Sequence, residues 1–501
     1  MDNRNTGQEE TEVSSGQQAK AIGWSLVGDF SSQGIGFIVS IVLARLLTPE
    51  LFGLVGMSMV FISLLYLLVD GGFSTALVQQ KISDDLVYDS VFWINLSISL
   101  LLMLVVWFQG PSIGRFYENP EITSLVRWLS VLLPIKALSM VPEAVLRRNL
   151  RFKVLGVRLL FAGVAGGVVG IVMAVLGYGV YALVGQSLTG GIVGVLTLHY
   201  RSDWKPRFRC SLASIREVSL FGRYIFFGRV LGQMIQQGSI LMIGKLFLPA
   251  TLGFFTRAES LGKLVIRYTS GTINKVYLPV LSKLQDKEDR FRKLFLKIIG
   301  LTTWGSFMLS GLLVIGAELL IVTLFGKQWI PSVLIFQVLM LRIFNYPVSA
   351  IIINAYLAKG LAKRNFRLGL GRMAMGLIPP LLGFTLGFDA FLWGLVAVSN
   401  VGVVYNIFFS ARDLGVPFLR LFSTIYRWNI LFIITVVPCL LLYQYLANPG
   451  SEDVVAMWTG GIVAGFLFLF LYLGGSLLID RSIKELLKVA AGWVRQRWTG
   501  I

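Results

Sequence analysis

Apolar runs long enough to cross a bilayer recur along the whole chain, broken only by short polar stretches. A run of about 18 apolar residues or more reads as a transmembrane helix. The pattern predicts fourteen. The first six cover about 21–47, 51–78, 88–109, 122–145, 158–177 and 179–199. The next six cover about 218–247, 251–281, 298–317, 330–357, 368–387 and 389–410. A last pair covers about 428–446 and 456–479. The bilayer core offers no water to backbone groups, so a chain this apolar must span as helices, and the short alternating segments of a β-barrel are absent. The expected fold is an all-α polytopic membrane protein.

The polar breaks orient it. Basic residues crowd the loops after even-numbered helices: Arg147, Arg148, Arg151, Lys153 and Arg158, then Arg201, Lys205, Arg207, Arg209 and Arg216. They recur as Lys283, Lys287, Arg290, Arg292, Lys293 and Lys297, then as Lys359, Lys363, Arg364 and Arg367. The loops after odd-numbered helices carry only Arg115 and Lys327. Positive charge is retained inside, so both termini are expected in the cytoplasm. Residues 1–20 read as a disordered cytoplasmic tail rather than a signal peptide. The expected organisation is a first lobe over 21–200, a cytoplasmic linker over 201–217 and a second lobe over 218–411. The last helix pair follows over 428–479, then a basic cytoplasmic tail over 480–501. For that tail two readings stand, an amphipathic helix on the inner leaflet or a plain basic end.

Composition narrows the function classes. The 501-residue chain is 55% hydrophobic and 14% charged, with mean hydropathy +0.74 and formal net charge +19. With the positive charge gathered on one side, it is an orientation signal rather than a nucleic-acid footprint. His199 is the only histidine, which excludes histidine metal clusters and Ser-His-Asp chemistry; at a cytoplasmic helix end it reads as interfacial. Cys210 and Cys439 are too few for a disulfide framework. No GxxxxGK[ST] segment occurs, which argues against ATP drive.

The sequence repeats. LARLLTPELFGLVGM, Leu43 to Met57, aligns with IGKLFLPATLGFFTR, Ile243 to Arg257, bringing Pro49 onto Pro249 and Gly53 onto Gly253. LGYGVYAL at Leu176 aligns with LGFDAFLW at Leu386, and RNLRFK at Arg148 echoes RNFRLG at Arg364. Two six-helix units of equal orientation follow, an arrangement of transporters that bind at the repeat interface and alternate access by rocking.

Polar residues line up inside the helices. GDFSSQ, Gly28 to Gln33, places Asp29 and Gln33 on one face with Gly36 and Ser40. Its repeat GRVLGQ, Gly228 to Gln233, places Arg229, Gln233 and Gln236 on the equivalent face. The eighth helix carries Glu259, Lys263, Arg267, Ser270 and Asn274 on one stripe; the second carries Ser63 and Asp70. Lys136 lies in the fourth helix, and Arg342 with Asn345 and Tyr346 in the tenth. A charge at mid-bilayer costs at least ~2.5–3.5 kcal/mol. Arg45, Lys245 and Arg127, near helix ends, read as snorkelling, whereas Arg229, Lys263, Arg267, Lys136 and Arg342 read as cavity residues. The rival is a structural ion pair such as Glu259 with Lys263. Asp29 and Arg229 hold equivalent, opposite positions and are expected to pair in one state. A cavity of mainly basic charge suits a phosphate, a diphosphate or an acidic sugar. The expected anion site is therefore Arg229, Lys263, Arg267, Arg342, Lys136, Gln233, Gln236 and Asn274.

Further features are structural first. Gly163, Gly167 and Gly170 allow close helix approach, and Pro134, Pro347 and Pro379-Pro380 are expected to kink their helices. The last two helices are nearly uncharged, serving either as packing or as a surface for a lipid tail.

At LARLLTPELFGLVGM, followed by LLVDGGFSTALVQQK (Leu67 to Lys81), the chain resembles the polysaccharide transport family of the MOP flippase superfamily, the Wzx-type, colanic acid exporter-like flippases of lipopolysaccharide biosynthesis. The resemblance implies a V-shaped fourteen-helix fold in the bacterial inner membrane. It also implies transport of an undecaprenyl-diphosphate-linked oligosaccharide repeat unit to the outer face, with no enzymatic activity. Export machinery or a polysaccharide polymerase would be a partner, and nucleic acid would not. No cofactor or metal is implied; for H+ or Na+ coupling, Asp29, Asp70, Glu143 and Glu259 are the candidate carboxylates. Two alternatives stand: a small-molecule or drug exporter of the same superfamily, with a more acidic and aromatic cavity, and a membrane polysaccharide polymerase. The latter predicts a large outer loop, but the longest expected here is Gly110 to Glu121.

Overall fold

A computed structural model of the chain describes residues 33–79, 85–211, 226, 230, 232–447, 454–480 and 483–484; the side chains of 267–276 and 454 lie outside that set. All regular structure among the described residues is helical. The chain divides into two compact units, Met1–Lys245 and Leu246–Ile501.

Unit 1 runs through α1 (Gln33–Leu46), α2 (Pro49–Asp70), α3 (Phe73–Gln79), α4 (Asp85–Phe116), α5 (Glu121–Ser130), α6 (Leu132–Arg148), α7 (Phe152–Val175), α8 (Tyr181–Arg201) and α9 (232–246). Unit 2 runs through α10 (Pro249–Ser282), α11 (Glu288–Ile315), α12 (Ala317–Phe325), α13 (Pro331–Leu341), α14 (Asn345–Ala358), α15 (Ala362–Met375) and α16 (Ile378–Leu386). It ends with α17 (Phe388–Leu414), α18 (Phe418–Ala447) and α19 (Val454–Ile479). Among the described residues, eleven helices are long and apolar enough to cross a membrane. The chain is an integral membrane protein. Of the fourteen expected spans, the first and seventh are described only from 33 and 232 onward. The eighth, α10, is 34 residues long and lies outside the apolar set; it carries Arg257, Glu259, Lys263 and Arg267.

Prolines shape several spans. The fourth breaks at Val131 and the tenth at Arg342, three and five residues before Pro134 and Pro347. The eleventh breaks at Gly376–Leu377 ahead of Pro379-Pro380. A proline cannot donate to the carbonyl four residues back, and its ring crowds that carbonyl. Other prolines are absorbed within helices, Pro111 and Pro142 among them. Pro111 sits inside α4, which runs on to Phe116 through much of the expected outer loop. The Trp107 carbonyl it leaves open accepts from Arg127 Nε at 3.0 Å, and the guanidinium lies 5.7 Å from the Trp107 ring centre. Pro142 sits inside α6, and the Leu138 carbonyl it frees is 3.1 Å from His199 Nε2. Both side chains read from the sequence as interfacial thus supply missing backbone donors.

The repeat is legible in the helix ends. Thr48 and Leu248 are both extended, and Pro49 and Pro249 both open a helix. Glu121, Arg148 and Phe152 recur 210 positions later as the helix ends Pro331, Ala358 and Ala362. At the paired LG segments the turn glycines Gly177 and Gly387 have φ +82° and +95°, where a side chain would be strained. The echo of RNLRFK in RNFRLG is different. The first straddles the α6–α7 junction and the second lies wholly within α15, so these words occupy different places in the two units.

Close packing holds each unit together. A Cβ on Gly167 would stand 2.4 Å from Val39 of α1, and one on Gly166 would stand 2.5 Å from the Gln186 carbonyl of α8. The expected glycine stripe on α7 is therefore a contact surface, and van der Waals approach of this kind holds membrane helices where burial from water cannot. In unit 2 the last helix pair packs against α11. Phe468 and Tyr472 of α19 are fully buried, Phe468 lies against Gly311, and the Tyr472 hydroxyl donates to the Trp304 carbonyl at 3.0 Å.

Candidate functional site

The charged side chains within the spans collect differently in the two units. In unit 1 the centre is Glu143 of α6. Its Oε1 accepts from Arg147 at 2.6 Å and its Oε2 from Arg158 of α7 at 2.7 Å. Lys136, two turns earlier on the same helix, acts on it through its charge. Two guanidinium groups share one carboxylate, which leaves that group at formal charge +1, with Lys136 adding its charge from the same helix. Glu143 was expected as a coupling carboxylate and Lys136 as an anion ligand; the structure places them in this one cluster. Gln233 is half-buried and Gln236 exposed on α9, and Asp70 is half-buried at the end of α2. Asp29 and Arg229, and with them the expected pairing, lie outside the described residues.

At the unit-1 end of α9, Lys245 pairs with Glu118 at 2.7 Å and lies 5.4 Å from the Phe116 ring centre. Glu118 follows α4, outside the spans, and its hydrogen bond with Lys245 holds its carboxyl below the usual range. Lys245, expected to snorkel, is thus an ion-pair partner. After α8 the chain doubles back over the start of α4. Arg207 N donates to Asp89 Oδ1 at 3.2 Å and Ser211 N to Ser90 Oγ at 2.8 Å. Phe208 stacks on Trp93 at 4.5 Å, and Trp204 is buried beside Phe92, Met140 and Val141.

In unit 2, Glu259 and Lys263 pair at 2.8 Å on α10, the ion-pair arrangement weighed from the sequence. The side chains of Arg267 and Asn274 lie outside the described set. Arg342, at the break between α13 and α14, donates to the Tyr346 hydroxyl at 2.5 Å.

Two features escaped the sequence reading. Arg257 of α10 lies 5.7 Å from the ring centres of both Phe325 and Trp329, a favourable setting for a desolvated guanidinium. The second is a polar seam between α14 and α17. Asn345 donates to Ser399 at 2.5 Å and Asn406 to Ser349 at 3.3 Å, and Tyr356 donates to Asp413 at 2.8 Å. Two arginines of α15 join it. Arg364 Nε donates to Asp413 Oδ2 at 2.8 Å. Arg372 donates to the Asn406 and Asn365 carbonyl oxygens at 2.8 and 3.2 Å. The signal that would have found the seam is heptad spacing: Ser349 and Tyr356 on one helix, Ser399, Asn406 and Asp413 on the other.

Chemically, among the described side chains the helices of both units carry more guanidinium and ammonium groups than carboxylates. Such sites favour anions with several oxygens, which arginine's planar donors engage in pairs. Among the described residues no group of three His, Cys, Asp or Glu side chains is placed to hold a metal ion.

Comparison with known proteins agrees with this description. Residues 42–334 match the family model described as "Polysaccharide biosynthesis protein". The chain is 26% identical over 385 residues to the succinoglycan biosynthesis transport protein ExoT of Rhizobium meliloti (strain 1021), covering 76% of this chain and 73% of that protein. It is 24% identical over 343 residues to the lipopolysaccharide biosynthesis protein WzxC of Escherichia coli (strain K12), covering 66% and 68%. Among solved structures, the lipid II flippase MurJ in an inward closed conformation matches with TM-score 0.69 at 15% identity, covering 91% of this chain and 99% of that chain. An inward-facing multidrug resistance MATE family transporter of the MOP superfamily matches with TM-score 0.60 at 15% identity, covering 76% and 94%. At that identity the likeness is one of fold.

Proposed function

The chain belongs to the polysaccharide biosynthesis protein family, and from that premise we propose that it is a flippase for lipid-linked oligosaccharide. Its substrate is a repeat unit joined through a diphosphate to undecaprenol, moved from the cytoplasmic to the outer face of the bacterial inner membrane for surface polysaccharide synthesis. The observation that carries this reading is the cationic side chains set along the spans rather than in the basic loops, Lys136 of α6, Arg257 and Lys263 of α10 and Arg342 at the α13–α14 break. Carrying a charge through hydrocarbon is costly, and a fixed cationic lining lowers that cost for a diphosphate while offering nothing to a cationic drug. The similarity to ExoT, named as a transport protein, supports transport over polymerisation.

In this reading the cycle alternates access between the two faces. Lys136, Arg229, Lys263, Arg267 and Arg342, with Gln233, Gln236 and Asn274, hold the diphosphate and acidic sugars. Asp29, Asp70, Glu143 and Glu259 take part in H+ or Na+ coupling or in gating.

The test is complementation. In a strain that makes the cognate polysaccharide, the gene is deleted and lipid-linked repeat units are scored on each face of the membrane. The deletion should trap them on the cytoplasmic face. Arg229→Ala, Lys263→Ala and Arg267→Ala, each expressed at normal levels, should fail to restore crossing. Repeat units that cross normally in the deletion but stay unpolymerised would overturn the flippase reading in favour of a polymerase.

A further inference from the structure

Part of the seam beside α15 recurs in unit 1, where Ser139, Thr189 and Asp203 stand for Ser349, Ser399 and Asp413, and Asp203 pairs with Arg151; Arg372 and its amides do not recur, and that asymmetry is informative. The helix ends of the two units correspond at an offset of 210 residues from Glu121 to Ala362. At that offset Asn345, Asn365, Arg372, Ser399 and Asn406 correspond to Ile135, Leu155, Ala162, Thr189 and Leu196. Where unit 2 has Arg372 and the three asparagines, unit 1 packs with Ala162, Ile135, Leu155 and Leu196, so the fold does not require the arginine and its amides.

What unit 2 gains is a partly buried, uncompensated cation. Arg372 is half-buried, and it donates to the neutral amides Asn406 and Asn365. Among the described residues no carboxylate pairs with it; Asp413, the acid of this cluster, is taken by Arg364 and Tyr356. Tyr356 and Tyr405 lie within electrostatic reach of both guanidinium groups. Two guanidinium groups and one carboxylate leave formal charge +1. A desolvated cation without a counter-ion is unfavourable, and each guanidinium has five donors, so Arg372 keeps donors to spare after meeting two amides.

Depth and flank specify the missing anion. Arg372 is about 15 Å along the helix from Ala362, and its head turns back toward Asn365, on the end of α15 that carries Lys363, Arg364 and Arg367. With the basic loops on the cytoplasmic side, that end of α15 faces the cytoplasmic leaflet. The adjoining surface is apolar and exposed: Phe366, Leu370 and Phe408. A soluble anion would find no use for that flank, whereas a lipid would.

We propose that Arg372, held by Asn365 and Asn406 and seconded by Arg364, is a binding site for the phosphate of a lipid in the cytoplasmic leaflet. The lipid is either an acidic phospholipid of the bilayer or a polyprenyl diphosphate carrier. The chemistry is the same for both: phosphate oxygens complete the guanidinium's donors, and the chains lie along α15. The proposal stands apart from the translocation reading, because binding is measured without transport.

The experiment is native mass spectrometry of the purified full-length chain with phosphatidylglycerol, phosphatidylcholine or undecaprenyl diphosphate. The wild type should retain phosphatidylglycerol about tenfold better than phosphatidylcholine, corresponding to ~1.4 kcal/mol. Arg372→Gln should abolish that preference and Arg372→Lys should keep part of it. Asn406→Asp is the decisive variant: it hands Arg372 a carboxylate of nearly unchanged shape. It should lose the preference while its thermal unfolding midpoint stays at or above wild type. If undecaprenyl diphosphate displaces phosphatidylglycerol, the carrier is the occupant; if it does not, the bilayer lipid is. Wild-type retention of phosphatidylglycerol by both Arg372→Gln and Asn406→Asp would overturn the proposal, as would equal retention of the two phospholipids by the wild type.

Discussion

His199 of α8 donates through Nε2 to the carbonyl of Leu138 on α6, the acceptor that Pro142 leaves without its helical partner. The only histidine of the chain is a proxy for an absent backbone N–H. An unmet buried carbonyl costs ~1–3 kcal/mol. His199→Ala should therefore lower stability by about that amount, and His199→Gln, which keeps a donor, should recover most of it. Pairing His199→Ala with Pro142→Ala should also restore stability, because the helix then bonds to itself. Thermal unfolding in detergent reads all three.

Arg364 and Asp413 pair where, in unit 1, Arg151 and Asp203 pair. Each joins the start of one helix to the end of the next. The environments differ: the Asp413 side chain is 15% exposed and that of Asp203 is 75% exposed. Exposed pairs contribute little, and breaking a less solvated one strands a charge. Asp413→Asn should cost ~2 kcal/mol of stability and Asp203→Asn under ~1 kcal/mol. Equal losses at the two sites would refute the distinction.

Glu143 is the sole carboxylate among Lys136, Arg147 and Arg158. Glu143→Gln leaves the largely buried Arg158 guanidinium without its carboxylate and should destabilise by ~3 kcal/mol. Adding Arg158→Met should return part of that loss, since an apolar replacement of both partners avoids the stranded charge. A double variant less stable than Glu143→Gln alone would count against this account.

Gly311 admits the Phe468 ring, which lies only 2.0 Å from where a Cβ would sit. Gly311→Ala should push α19 off α11 and lower stability by ~1–3 kcal/mol. Phe468→Leu in the same chain should relieve it. A crosslinking yield between cysteines placed on α11 and α19 would report the separation directly.

Cys210 is exposed in the segment after α8, and Cys439 is buried within α18. With the basic loops inside, a membrane-impermeant maleimide should label Cys210 in inside-out vesicles and leave right-side-out vesicles unlabelled. Cys210→Ser should abolish labelling, and Cys439→Ser should leave it unchanged. Labelling from the outer face would reverse the orientation.

Much of the fold was legible because it is written locally. Proline marks where a helix breaks, as at Val131 and Arg342, and glycine marks where two helices touch, as on α7. The tertiary polar contacts were not legible, because one asparagine or serine per two turns barely alters the apolar character of its helix. Asn406 and Arg372 are each unremarkable in sequence and meaningful only once α15 and α17 are side by side. Arg257 was missed because its aromatic partners, Phe325 and Trp329, lie some seventy positions onward, beyond any local window. The charged positions on α10 are visible as a stripe in the sequence, since a stripe on one helix is a local pattern. Whether such a stripe pairs internally, as Glu259 and Lys263 do, depends on rotamers that spacing alone leaves open.

The constant offset of 210 residues from Glu121 to Leu386 says something about history. Surface connections usually gain and lose residues freely, since lengthening a loop costs little entropy. Here residues such as Ala162 and Arg372 have diverged in polarity, yet three helix ends and the turn glycine pair Gly177 and Gly387 keep the same spacing, so neither copy has kept a net insertion over that stretch. Between Pro49 and Glu121 the offset grows from 200 to 210, so length was gained there and held beyond it; past Glu121 the connections are the inherited gauge and the intramembrane polarity is the part left open to invention.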